Sequence, residues 1–323
     1  MSRPWPAGRH RRVDSEFPVR IPVPNLAGAA QGNTGIPGVW RFDSGLPGPH
    51  AVITSLIHGN EFTGAAVLLR WLRQELRPRR GVLTLVFANL EAFARFDPED
   101  PTLSRYVDED MNRVWSHAIL DGPRDSLELR RARALRPVIE AADALLDLHS
   151  MLWPSEPLML TGRSRAARAL AVAVGAPATV VLDGMHPDGP RMMDHTPFAA
   201  PGTHRVALLA EAGLHWEPGT TEMAEACASG FLRALGMIHG APEPDRSGAA
   251  VWEVTKGIAA TSRQFIFTEP FRGGVVIPRA GTLIARDGNA EIRTPHDDCM
   301  LVMPSPRVMR GHVAVRLARR EAR

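Results

Sequence analysis

Ala51-Val-Ile-Thr-Ser-Leu-Ile57 runs straight into His58-Gly-Asn-Glu61 and then into the helix-like stretch Phe62 to Leu76. An apolar run of this length, closed by Gly and polar residues, reads as a buried strand. A strand that feeds a helix through a tight polar turn is the unit of a parallel sheet, whose ligand sites gather at the carboxyl ends of its strands. His58 and Glu61, three residues apart in such a turn, can aim an imidazole and a carboxylate at one point, as two ligands of a zinc ion do. The spacing alone is weak, because with 12 His among 323 residues close to one such pair arises by chance. The rest of the chain has to supply the rest of a site.

It does so at comparable positions. His149 ends a second apolar run, Ala144-Leu-Leu-Asp-Leu148, and is followed by Ser150. Two His and one Glu from separate strand ends make the open three-ligand set of hydrolytic zinc enzymes. Asp147 is either a strand-end polar residue or the group that orients the His149 imidazole. A third run, Val206-Ala-Leu-Leu-Ala210, leads into Glu211-Ala-Gly213. A carboxylate after five apolar residues is costly unless it has a task there. Between the first two runs lies Arg105-Tyr-Val-Asp-Glu-Asp-Met-Asn-Arg113. Arg113 either pairs with Asp108 or Asp110 on the surface or joins Asn112 as a planar fork for a carboxylate. Asn89 ends a strand as the His58 run does and reads as a further substrate contact, with Arg95 near it. Of the other histidines, His195 and His204 are the candidates for a pocket mouth.

Taken in order, His58-Gly-Asn-Glu61, Asp110-Met-Asn-Arg113, Asp147-Leu-His149 and Glu211-Ala-Gly213 resemble the succinylglutamate desuccinylase and aspartoacylase family, relatives of the zinc carboxypeptidases. The resemblance covers about Ala51 to Gly240. It implies a zinc carboxypeptidase-like α/β fold, a mostly parallel mixed sheet flanked by helices, with a small C-terminal all-β domain. It further implies one zinc ion per chain on His58, Glu61 and His149, and Glu211 as general base and acid. Arg105, Asn112 and Arg113 would hold the substrate's polarised carbonyl and carboxylate, with Arg105 placed to stabilise the oxyanion. The implied activity is hydrolysis of the amide of a small N-acyl amino acid or related metabolite. The alternatives are a carboxypeptidase acting on peptides and a non-catalytic zinc-binding protein, for which Glu211 would have no use. The C-terminal β domain is expected to lean over the zinc and narrow the entrance. Because the chain's single tyrosine, Tyr106, lies inside the Arg105 motif, a tyrosine from another segment cannot join the pocket. His215-Trp216, Gln264 to Phe271 or His296 to Asp298 would take that place.

Composition narrows the class. The chain is 44% hydrophobic, its mean hydropathy is near zero, and no apolar run approaches the about 18 residues of a membrane span. The first residues lack the apolar centre of a signal peptide, so a cytoplasmic protein with no membrane partner is expected. Cys227 and Cys299 stand far apart and read as ordinary buried thiols. The net charge is only +3 despite a pI near 9.4. Its basic clusters, Arg9 to Arg12 and Arg316 to Arg323, read as solvated ends rather than a nucleic-acid surface. The oligomeric state is left open, a homo-oligomer included.

Along the chain, residues 1–16 read as a loose tail, 17–240 as the catalytic domain, 240–248 as a Pro- and Gly-rich linker, and 249–323 as the β domain. Strands are expected at 19–23, 38–42, 51–57, 82–88, 144–148, 179–182 and 206–210. Helices are expected at 61–76, 126–142, 165–174 and 220–238. Past the linker, seven short runs (251–254, 264–267, 274–277, 282–285, 290–294, 300–303 and 312–315) are divided by Gly and Pro and read as strands.

Overall fold

The computed structural model describes residues 17–321 apart from 185, 187 and 241–248. The expected tail and most of the expected linker therefore lie outside the described residues. The expected runs become β1 (Val39–Asp43), β2 (His50–Ser55), β3 (Val82–Phe87), β4 (Ala144–Met151), β6 (Thr179–Leu182) and β7 (Val206–Leu214), and a strand outside them, β5 (Leu158–Thr161), adds a seventh. They lie side by side in the order β1-β3-β2-β4-β7-β5-β6. The inner strands β3, β2, β4 and β7 are parallel to one another, while β1 and β5 pair antiparallel with β3 and β7. Between them run α1 (Thr63–Arg73), α2 (Leu90–Phe93), α3 (His117–Leu120), α4 (Leu127–Glu140), α5 (Arg165–Val174), α6 (Thr196–Ala199) and α7 (Pro218–Ala234).

Strand side chains alternate between faces, and here both faces are buried. Ala51, Ile53, Leu146, Leu148, Leu208 and Ala210 join the core under α1, α5 and α7, where Leu68, Phe231 and Leu232 pack. Val52, Leu145, Ala207 and Leu209 face the other way, onto Leu129, Leu135 and Ile139 of α4 and onto Trp115. This is why the strands read as unbroken apolar runs rather than alternating ones.

All seven C-terminal runs form strands: β8 (Ala250–Ala259), β9 (Phe265–Phe267), β10 (Val276–Ile277), β11 (Leu283–Asp287), β12 (Ala290–Arg293), β13 (Cys299–Val302) and β14 (Val313–Arg320). Three of them, β12-β11-β9, make a small separate sheet. The other four continue the main sheet, because β8 pairs parallel with β6 from Thr179 opposite Ala250 to Leu182 opposite Glu253. The sheet thus runs through eleven strands, ending β8-β14-β13-β10.

The expected strand at 19–23 does not form; that segment has no ladder and is tied down by one backbone bond, Arg20 N–H to the Trp216 carbonyl at 3.1 Å. Pro18, Pro22 and Pro24 remove the donors a ladder would need.

Candidate active site

The turn after β2 is built for close approach. Gly59 packs so tightly that a Cβ there would meet Ala92, Phe93 and Ser104 backbone atoms at 2.4–2.5 Å. Its N–H donates to the Arg105 carbonyl at 3.0 Å, which brings the Arg105 segment against the turn. His58 and Glu61 flank this contact, both buried. One Glu61 oxygen lies 2.7 Å from His58 Nδ1 and the other 2.9 Å from His149 Nδ1. The second oxygen also accepts the Ser150 N–H at 3.1 Å. One ligand atom from each of His58, Glu61 and His149 falls within 4.8 Å of the others, and all three residues are buried.

Each imidazole turns its far nitrogen to another carboxylate. His58 Nε2 is 3.0 Å from Asp110 Oδ1, and His149 Nε2 is 2.7 Å from Asp147 Oδ2. Asp147 sits two residues before His149 on β4, so period-two alternation puts both on one side of the strand. The Thr54 hydroxyl donates to its other oxygen at 2.5 Å. Such carboxylate partners fix an imidazole's tautomer and leave Nδ1 free as a donor to a metal. Two Nδ1 atoms and a carboxylate within one small sphere match a zinc donor set.

Charge is dense here. Burial alone would raise the Glu61 carboxyl, but His58 and His149 outweigh it and hold it well below the usual carboxylate range. Burial alone would lower His149, yet Asp147 and Glu61 hold it well above an ordinary imidazole. Arg105 reaches across, donating to Glu61 Oε1 and to Asp110 Oδ2, each at 3.1 Å.

Glu211 stands opposite His149 in the β4–β7 ladder, inside β7 rather than beyond its end. Burial pushes its carboxyl up to about 8, and its Oε2 has no hydrogen-bond partner among the described residues. An orphaned buried carboxylate oxygen beside a metal donor set is where a water molecule or substrate group belongs.

A cavity of about 180 Å³ joins these groups, with Arg105, Asn112, Arg113, His149 and Glu211 in its wall. Asn112 is held by its Oδ1, which accepts the Met192 N–H at 2.8 Å, and its Nδ2 lies 3.5 Å from His149 Nε2. Arg113 donates from Nη1 to the Asn112 carbonyl at 2.7 Å.

Asn89, expected as a substrate contact, does not line this cavity. Its Oδ1 caps α2 through the Ala92 N–H at 3.2 Å and its Nδ2 donates to Glu128 at 3.1 Å. Both ends of the amide are thus spent on structure. His195, expected at the mouth, is fully buried between the Trp115 carbonyl and Glu140. His186 and His215 line the cavity instead.

The C-terminal strands contribute Met303, Pro304, Ser305 and Arg316 to the wall, not Gln264 to Phe271 or His296 to Asp298. Arg316, read from sequence as part of a solvated basic end, is buried and donates to Asp183 at 2.6 Å. Arg191 donates to the same oxygen at 2.8 Å. The signal for Arg316 was present: a charged residue between Val315 and Leu317 on an apolar strand, the same cue that singled out Glu211.

Residues 47–213 match the sequence profile of the succinylglutamate desuccinylase/aspartoacylase catalytic domain, more than half of the chain. The chain belongs to this family. A curated relative from Xenopus laevis, named an N-acyl-aromatic-L-amino acid amidohydrolase (carboxylate-forming), is 31% identical over 113 residues, which is 32% of this chain and 35% of the relative. The match thus spans about a third of the relative's length. Among solved structures, a succinylglutamate desuccinylase from Vibrio cholerae superposes with a TM-score of 0.67 at 15% identity, over 88% of this chain and 86% of that one. A succinylglutamate desuccinylase/aspartoacylase from Rhodobacter sphaeroides gives 0.63 at 21%, over 85% and 87%. These likenesses establish a shared fold that extends through the C-terminal β region.

Proposed function

We propose that the chain is a zinc-dependent hydrolase that cleaves the amide of small N-acyl amino acids. The observation that carries this reading is the buried His58, Glu61 and His149 cluster with the orphaned Glu211 carboxylate in the same cavity wall. The two imidazole Nδ1 atoms and the Glu61 carboxylate would hold the ion, and Asp110 and Asp147 would orient the imidazoles. Zinc in that position would supply Lewis acidity toward the scissile carbonyl and acidify a water molecule at its open coordination position.

The chain's own groups then divide the work. Glu211 takes a proton from the attacking water as its oxygen adds to the acyl carbon. It returns that proton to the amide nitrogen as the C–N bond breaks, giving a carboxylate and a free amine. A carboxyl held up near neutrality is matched to both transfers. Arg105, facing the carbonyl, stabilises negative charge on its oxygen. Asn112 and Arg113 clamp the amino acid's carboxylate, for which a planar guanidinium is better shaped than an ammonium.

The space at the candidate ligands is about 180 Å³, and the preference for a small substrate rests on the family rather than on that volume. The test is metal analysis followed by assay of the zinc-loaded chain on N-acyl amino acids and on unstructured peptides. About one zinc per chain, lost in His149→Ala, and release of amino acid from the acyl substrates are expected. Peptide cleavage at matching rates would turn the assignment to a carboxypeptidase.

A further inference from the structure

The catalytic cavity does not end in a closed wall. Leu152, Trp153 and His215 line it and at the same time line a second space of about 250 Å³. Phe17, Leu214 and Trp216 complete that second space, together with prolines and Glu217. The strands that carry the catalytic groups build it directly. Trp153 follows His149 by four residues beyond β4, and Leu214 to Trp216 follow Glu211 at the end of β7. Phe17 packs edge-on against Trp153 with ring centroids 5.3 Å apart, and Glu217 turns outward to a 2.8 Å ion pair with Arg20.

We propose that this cleft binds the acyl group of the substrate, and that the acyl group is apolar and longer than acetyl. The inference rests on the deacylase reading and adds the substrate class. Its direction comes from the two sides of the cavity. Arg113, the group for the amino acid's carboxylate, also lines a polar space of about 370 Å³ with Tyr106, Asp110 and Asp188, and among the described residues none lines both that space and the apolar cleft. A substrate whose carboxylate sits at Arg113 and whose scissile carbonyl sits at His58, Glu61 and His149 has its acyl chain left to run toward Trp153. Leu152 and Trp153 give the junction its apolar surface, and the Arg307 guanidinium lies over the Trp153 ring, 5.6 Å from its centroid. The His215 Nδ1 lies 2.7 Å from the Ser150 hydroxyl, and burial pushes that imidazole down to about 4. A neutral ring beside Trp153 admits a hydrocarbon chain where an imidazolium would repel it.

The test is a series of N-acyl derivatives of one amino acid, acetyl through hexanoyl plus benzoyl, assayed with the full zinc-loaded chain. Each added methylene buried in the cleft should raise kcat/KM by about fourfold until the space is filled. Phe17→Ala, at a half-buried surface position, and Trp153→Ala should each cut the hexanoyl-to-acetyl ratio by about tenfold. A kcat/KM that is flat or falls beyond acetyl overturns the inference while leaving the deacylase reading intact. A preference for long chains that neither substitution changes overturns the assigned location. No turnover of any member, acetyl included, sinks the deacylase reading and this inference with it.

Discussion

Glu211 is a residue whose placement opposes folding. Burial raises its carboxyl from an ordinary value to about 8, so the folded chain favours the protonated form. Stability from this group is fully present below its unfolded pKa and is lost as pH rises through about 8, a cost of the order of 5 kcal/mol at most. In the metal-free protein Glu211→Gln is therefore expected to melt higher than the parent at pH 8 to 9 and to lose that advantage near pH 4. Unchanged melting at pH 9 would show that the carboxylate is better solvated than its burial implies. The same substitution in the zinc-loaded enzyme should leave metal content normal and lower turnover at least about 100-fold. Arg113→Lys keeps charge but loses the fork, and should raise KM for acidic substrates more than for their uncharged amides. Equal loss on both would remove Arg113 from carboxylate binding. His58, His149 and Glu211 were legible because each follows directly on an apolar run, where a polar side chain needs a reason, and Glu61 by its spacing from His58. His215 was read as one of the groups that could stand in for a second tyrosine, and it does line the cavity. His186 was not read: nothing in its sequence neighbours announces a buried site, and its place depends on the closing of segments far apart in the chain. Asn89 shows the converse: a strand-end polar residue whose task is to cap the next helix.

At the level of elements, the expected helices and strands appear, apart from the strand at 19–23, but their ends shift by a few residues wherever tertiary pairing decides. β4 and β7 run on to Met151 and Leu214 because each finds the other's backbone beyond His149 and Glu211, with a bulge between His149 and Met151. The short β5 went unread, since three apolar residues and a Thr after a Pro carry little periodic signal. The helices pack by removing side chains at their crossings. On α7, Gly230 lies against α5 so closely that a Cβ would meet the Val174 carbonyl oxygen at 2.1 Å. Backbone cannot yield as a flexible side chain does, so Gly230→Ala should destabilise the fold by about 1–3 kcal/mol despite its better helix propensity. A rise in the denaturant midpoint would mean that the two helices separate freely.

For the whole molecule, the C-terminal β region was foreseen as a domain of its own, and its composition of short strands was right. What no local pattern could show is that β8 pairs with β6, since that contact joins residues some seventy positions apart. The four strands beyond β6 therefore share a ladder with the catalytic sheet. A chain stopped at residue 240 is expected to collect in aggregates rather than as a soluble catalytic unit, because it bares the apolar edge Val180-Val181-Leu182. Recovery of a monodisperse, metal-binding fragment of that length would show that the edge is tolerated. The shared ladder also sets an order of events on the ribosome. At about 5–20 residues per second, the stretch from Leu182 to the last residue of β8 takes several seconds to emerge. Throughout that interval the candidate metal ligands His58, Glu61 and His149 have all been synthesised, yet the sheet beside them still has a raw border. The nascent chain is thus most in need of a chaperone when its candidate metal ligands are already made and Glu211 and β8 are still to be added.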